Sequence, residues 1–131
     1  MAIADGHGLP IAVRVTSASP NESTLVEDTL RQRHVSALPE RMIGDRAYDS
    51  DRLDERLRHE QGVEMIAPNR RRRKRTQDGR PLRRYLRRWK IERLFAWLKN
   101  FRRINSRWEH HAINFLGMVQ LGCVLILLRH L

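Results

Sequence analysis

Short apolar runs and helical repeats alternate through the first half of the chain. The opening segment 1–16 alternates apolar and polar residues on both sides of the DGHG sequence at 5–8, a pattern that predicts two antiparallel strands joined by a hairpin. Further along, periodicity predicts helices at 24–34 and 51–61 and strands at 41–45 and 63–67. This order of elements predicts an α/β fold in which helices flank a mixed sheet.

The second half begins with a basic segment, residues 68–81, that lacks apolar periodicity. This composition predicts a solvated loop or a segment that becomes ordered when it binds DNA. A long helix is predicted at 82–102 and an apolar helix at 111–131. The apolar run in the last helix is shorter than the roughly 20 residues of a membrane span, so we expect a buried helix. We treat residues 1–131 as one domain.

The charge balance favours nucleic acid as the partner. The sequence contains twenty-six Lys and Arg residues but fifteen Asp and Glu residues, which gives a formal net charge of +11. An acidic membrane surface is the competing partner, but the excess of Arg over Lys suits forked contacts to phosphates and base edges. The single cysteine, Cys123, lies in an apolar run and is predicted to be a buried hydrophobe. We expect a cytoplasmic protein without a membrane segment.

Two acidic residues occupy positions where chemistry is common. Asp45 ends a predicted strand, and α/β folds place their sites beyond the strand ends; the alternative is a turn or N-cap aspartate. On the long helix, offsets of three, four and seven place four polar residues on one face. These residues are Tyr85, Arg88, Glu92 and Lys99. An ordinary surface ion pair between Arg88 and Glu92 is the alternative.

Those two regions resemble one family. The sequence YLRRWKIERLFAWLK, which begins at Tyr85, has the Y-(2)-R-(3)-E-(6)-K signature of bacterial insertion-sequence DDE transposases at all four fixed positions. GDRAYDS at 44–50 resembles the segment around the second catalytic aspartate of the same family. The opening DGHGLPIAVRVT, the NEST sequence at 21–24 and FRRINSRWEHHAINFLG near the end are also similar to this family. The resemblance therefore covers nearly the whole chain.

The resemblance implies an RNase H-like fold in which three acids hold two divalent ions, Mg²⁺ or alternatively Mn²⁺, about 3.5–4 Å apart. It assigns Asp45 and Glu92 as metal ligands and Arg88 and Lys99 as contacts to phosphates near the cut DNA end. Tyr85 would orient or stack at that end. The implied reaction is strand cleavage and strand transfer at the ends of the insertion element, with target DNA as the second partner.

The first acid of the family pattern precedes the hairpin with which this sequence opens, so we expect an N-terminally truncated catalytic domain. Asp5 is the tempting substitute, but Asp-Gly is favoured in hairpin turns for backbone reasons alone. Loss of one ligand weakens both metal positions, and we expect little or no transposition by this chain alone. The alternatives are a DNA-binding fragment that forms homo-oligomers or pairs with intact transposase, and a decayed remnant without a role.

A basic run and three tryptophans complete the set of candidate DNA contacts. The run could follow a DNA backbone or could be a solvated loop. Its members are Arg70, Arg71, Arg72, Arg73, Lys74 and Arg75. Trp89, Trp97 and Trp108 could stack on unpaired bases, but we expect at least two of them in the core.

Overall fold

The computed structural model describes residues 1–17, 19–71 and 86–131, and it opens with the predicted hairpin. Strand β1 (Ala2–Ala4) pairs antiparallel with β2 (Pro10–Val13). In the turn, the carboxylate of Asp5 accepts hydrogen bonds from the amides of His7 and Leu9, both at 2.8 Å. Gly8 has a φ of +84°, which an L side chain rarely adopts. The predicted hairpin is confirmed.

The two helices predicted in the first half are confirmed, and both have capped ends. Helix α1 (Glu22–Arg31) begins after Asn21, whose side chain accepts from the amide of Ser23. Helix α2 (Asp51–Gln61) begins after Ser50 and ends at Gly62 in the left-handed region. Capping chemistry therefore starts α1 slightly earlier than apolar periodicity indicates.

Among the described residues, the strands form two separate sheets of two strands, not the single mixed sheet that the sequence predicts. Strand β3 (Arg41–Ile43) pairs parallel with β4 (Glu64–Ile66), while β1 pairs only with β2. A physical reason lies in the segment after α1, where the amide of His34 donates to the carbonyl of Ile11 at 2.8 Å. This bond takes a backbone acceptor of β2 that a further strand would need.

The long helix predicted at 82–102 is shorter and broken. Helix α3 (Trp89–Lys99) is followed by a separate short helix, α4 (Arg102–Asn105). Phe101 adopts an extended conformation between them, with φ −83° and ψ 114°, and its ring packs against buried residues. Residues 82–85 and most of the predicted loop 68–81 lie outside the described part of the chain. The last helix, α5 (Ala112–Leu128), lies within the predicted range 111–131.

Two clusters of buried side chains form the interior. The first joins the hairpin to α1, α2 and β4, and includes Val26, Leu30, Leu53 and Leu57. The second lies between the hairpin, α3 and α5, with Leu94, Leu98, Val119, Cys123 and Ile126 at its centre. Strand β2 supplies Ala12 to the first cluster and Val13 to the second. The hairpin therefore links the two clusters.

Helix α5 is buried along one side only. Cys123 is 1% exposed, as predicted, and burial raises the pKa of its thiol to about 11. The other side of α5 leaves several large apolar residues exposed, among them Ile113, Leu121, Val124 and Leu128. Among the described residues, none of the helices combines the length and hydropathy needed to cross a membrane.

Leu94 and Leu128 give a matched test of the second cluster. Leu94 is 0% exposed and Leu128 is 59% exposed. We expect Leu94→Ala to lower the free energy of unfolding by about 2–5 kcal/mol, because it removes buried methyl groups and leaves a cavity. Leu128→Ala should change it by less than about 0.5 kcal/mol. Urea unfolding followed by circular dichroism measures both; equal losses would contradict the assignment of this cluster.

Candidate active site

Asp45 lies at the carboxyl edge of the parallel strand pair. The preceding residue, Gly44, continues the pairing, because its amide donates to the carbonyl of Ile66 at 3.0 Å. The Asp45 carboxylate then accepts from the amide of Ala47 at 2.8 Å and caps a 3-10 turn at Arg46–Tyr48. The strand-end position and the N-cap role, which the sequence leaves as alternatives, thus belong to the same half-buried side chain.

The turn that carries Asp45 packs closely on the strands. A Cβ atom on Gly44 would lie 2.6 Å from Cδ2 of Tyr48 and closer still to Cε of Met65, so only glycine fits there. Burial raises the pKa of Tyr48, and the carboxylates of Glu22 and Asp45 add to that rise. The phenol consequently stays neutral and forms a hydrogen bond with Glu22 of helix α1.

Arg70 makes hydrogen bonds that hold the Asp45 turn. Its guanidinium donates from Nη2 to the carbonyl of Ala47 at 2.9 Å and from Nε to the carbonyl of Arg46 at 3.3 Å. Its own amide donates to the carboxylate of Asp49 at 2.7 Å, and Asp49 is 4% exposed. The first arginine of the basic run, although exposed to solvent, therefore supports the backbone of the candidate site. Sequence periodicity could not reveal this role, because the contacts join segments more than twenty residues apart.

The rest of the basic run is only partly described. Arg71 is exposed to solvent, which is compatible with the predicted contact to DNA. The other predicted contacts, Arg72, Arg73, Lys74 and Arg75, lie outside the described residues.

The helical signature is described at three of its four positions. Nη1 of Arg88 lies 2.8 Å from Oε1 of Glu92, and their side chains are 40% and 58% exposed. Lys99 is exposed at the end of α3. Tyr85 lies outside the described residues. The structure thus brings Arg88 and Glu92 into contact in the first turn of α3, where the positive end of the helix dipole also favours a carboxylate.

The hairpin turn fixes helix α3 through its backbone carbonyls. The ammonium group of Lys90 donates to the carbonyl of Gly6, and the guanidinium of Arg93 donates to the carbonyl of His7. Glu92 lies between these two cations in the sequence. Contacts that the sequence did not predict therefore set the position of the helix that bears Glu92.

The tryptophans are more exposed than the sequence predicts. Trp97 packs partly against the second buried cluster, but Trp89 is 50% exposed and Trp108 is 69% exposed. The expectation that at least two of the three are in the core is therefore wrong. The guanidinium of Arg93 lies 4.9 Å from the ring of Trp89 and 4.8 Å from that of Trp97, and this cation–π stacking holds Trp89 near the surface.

The donor set of the site is incomplete within the described part of the chain. No group of three or more His, Cys, Asp or Glu side chains there is placed to hold a metal ion. Asp5, the tempting substitute for the first acid, uses one carboxylate oxygen to accept from two turn amides. Asp45 and Glu92 nonetheless offer carboxylate oxygens, the ligands that Mg²⁺ prefers.

Comparison with known proteins identifies the family to which this chain belongs. Residues 1–127 match the transposase DDE domain family, and the chain belongs to that family. It is 33% identical over 132 aligned positions to a protein of Burkholderia cepacia described as a candidate transposase for insertion sequence element IS402. That alignment covers 95% of this chain and 59% of the relative, so the chain spans about three fifths of the relative's length. No solved structure matches the chain.

Substitutions of two adjacent arginines test the role of Arg70. Arg70→Ala removes two hydrogen bonds to the Asp45 turn, and we expect a loss of about 1–2 kcal/mol in the free energy of unfolding. Arg71→Ala removes the same charge from the next position, which is equally classed as exposed, and should cost less than about 0.5 kcal/mol. Thermal melts of both variants measure how much stability each substitution removes. A larger loss for Arg71→Ala would refute the supporting role of Arg70.

Proposed function

We propose that this chain supplies part of the catalytic domain of an insertion-sequence transposase. In this proposal the domain, 1–131, has an RNase H-like fold and acts in metal-dependent cleavage and transfer of DNA strands at the ends of its element. The observation that supports it most is the place of Asp45, a carboxylate at the carboxyl edge of a parallel strand pair in a chain that belongs to the transposase DDE domain family.

Asp45 and Glu92 are the proposed metal ligands. Carboxylates suit Mg²⁺ or Mn²⁺ because they are hard oxygen donors, and the ions would activate the attacking oxygen and stabilise the leaving one. One oxygen of Asp45 caps the turn, which fixes the orientation of the carboxylate and leaves its second oxygen for a ligand. A third carboxylate, from outside the described residues, would complete the set.

The cations beside Glu92 are proposed to bind the DNA backbone near the cut. In the structure the Glu92 carboxylate is paired with Arg88 at 2.8 Å, and an exposed pair of this kind is worth only a few tenths of a kcal/mol. Arg88 is proposed to contact a phosphate when DNA binds beside Glu92. Lys99 is proposed to hold a second phosphate, and Tyr85 is proposed to stack or orient the DNA end.

Binding to DNA without catalysis is the second candidate function. The net charge of +11 favours it, because binding to the DNA backbone depends on cations alone. Such a fragment would occupy element ends as a homo-oligomer or pair with intact transposase and inhibit it.

Glu92→Gln separates the two functions, because glutamine keeps the size of the side chain and its ability to accept from Arg88 but removes the charge that a metal needs. Three properties are measured for both proteins: Mn²⁺ binding by electron paramagnetic resonance, affinity for duplex DNA by fluorescence anisotropy, and nicking of supercoiled plasmid with Mg²⁺ or Mn²⁺. We expect Glu92→Gln to weaken Mn²⁺ binding and abolish any nicking while DNA affinity is retained.

Glu60→Gln is the matched control, because Glu60 is an exposed residue of helix α2 and the charge change is the same. If the unaltered chain binds duplex DNA but neither binds Mn²⁺ nor nicks plasmid, the non-catalytic function is correct. Equal effects of Glu92→Gln and Glu60→Gln on Mn²⁺ binding would show that Glu92 is not a metal ligand. A chain that binds no DNA at all would refute both functions.

A further inference from the structure

We infer that a cleft beside Trp108 binds an unpaired nucleotide of DNA, with the base stacked on the indole and the phosphate held by arginine. The cleft has a volume of about 300 Å³ and is lined by Arg102, Arg103 and Trp108. This inference rests on the proposed DNA-binding function and names the form of DNA that one part of the surface recognises.

The exposure of Trp108 is the first observation. Its side chain is 69% exposed, although an indole ring ordinarily gains free energy from burial. An aromatic ring at the surface offers a flat face on which another ring can stack. Here its neighbours in the cleft are two cations, so the favoured ligand combines a flat ring with a negative charge. A nucleotide has both.

Glu109 holds the cleft in shape. Its side chain is 10% exposed, and Oε1 lies 3.3 Å from Nη1 of Arg103. Its other oxygen, Oε2, accepts from the backbone amide of Trp108 at 3.2 Å. One nearly buried carboxylate thus contacts both the Arg103 guanidinium and the backbone that carries the indole.

Arg107 stabilises the same turn without occupying the cleft. Its guanidinium donates from Nε to the carbonyl of Glu109 at 2.9 Å and from Nη2 to the carbonyl of His110 at 3.2 Å. The guanidinium also lies 5.3 Å from the ring of Phe115 at the start of α5. These contacts hold the segment between α4 and α5 in place, and with it the backbone that carries the indole.

Arg102 is the cation available to a phosphate. Among the described residues none accepts a hydrogen bond or forms an ion pair with its guanidinium, whereas Arg103 is paired with Glu109. An exposed guanidinium can make two parallel hydrogen bonds to a phosphate. The cleft therefore contains one fixed cation, one cation free to move toward the ligand, and a stacking surface.

An unpaired nucleotide fits the cleft better than a base pair does. In a duplex both faces of each base are covered by its neighbours, so an indole cannot stack on them without disrupting the helix. Near a strand break the bases can leave the stack, and proteins bind such bases on aromatic side chains flanked by cations. A contact to the duplex backbone would use the arginines but would give the exposed indole no role.

The test compares Trp108→Phe with Trp108→Leu. Phenylalanine keeps an aromatic face, and leucine keeps apolar bulk without one. Affinities for fluorescein-labelled oligo(dT) and for a mixed-sequence duplex are measured by anisotropy. We expect Trp108→Leu to weaken oligo(dT) binding roughly 5- to 150-fold, which corresponds to the loss of one base stack, and to change duplex binding much less. Trp108→Phe should bind oligo(dT) more tightly than Trp108→Leu.

Two arginine variants test the phosphate contact. Arg102→Gln should weaken oligo(dT) binding more than Arg58→Gln, because Arg58 is an exposed residue of helix α2 and the change in net charge is identical. Tryptophan fluorescence gives a further readout, since part of the quenching by oligo(dT) should disappear in Trp108→Phe. Circular dichroism melts show whether each variant is folded.

The outcomes separate this inference from the proposed function. Suppose that the unaltered chain binds both duplex and oligo(dT), and that folded Trp108→Leu binds oligo(dT) as tightly as Trp108→Phe does. The inference that the cleft binds a nucleotide is then wrong, and the DNA-binding function stands. Equal loss of duplex and oligo(dT) affinity in Trp108→Leu would also overturn the cleft. If the unaltered chain binds neither DNA, both the function and the cleft are refuted.

Discussion

The structure depends on a four-residue strand that faces two hydrophobic clusters. Successive side chains of a strand point to opposite sides, and in β2 this places Ala12 in the cluster with α1 and α2 and Val13 in the cluster with α3 and α5. A helix in this position would bury one stripe only. Because β1 pairs with β2 through an antiparallel ladder, the link between the clusters is a backbone structure and does not rely on one side chain.

The same hairpin also determines the position of helix α3, which carries Glu92. Its turn is held in shape by the carboxylate of Asp5, and its carbonyls accept from Lys90 and Arg93 of helix α3. Glycine is favoured at position 8 because its φ is +84°, a conformation that an L side chain rarely adopts. The use of Asp5 in the turn and the placement of the helix with Glu92 are therefore two consequences of one local geometry.

Local patterns predicted the features that depend on neighbours in sequence. The hairpin, helix α2 and the contact between Arg88 and Glu92 follow from periods of two and 3.6 residues and from an offset of four. Features that depend on distant segments were missed. The division into two sheets reflects a bond from His34 to Ile11, and the end of α3 reflects the packing of Phe101. The interaction of Arg70 with the Asp45 turn and the exposure of Trp108 also depend on tertiary packing.

The arginines show why net charge alone does not describe a DNA-binding surface. The guanidinium groups of Arg70 and Arg107 donate to backbone carbonyls, so they contribute charge but have fewer donors left for a phosphate. That of Arg93 lies between two indole rings. The salt dependence of DNA binding counts the phosphates that are neutralised. Its slope should therefore be set by cations that keep their donors for phosphates, such as Arg102, and not by the formal charge of +11. Arginines that stabilise the turns thereby determine which other arginines can reach DNA.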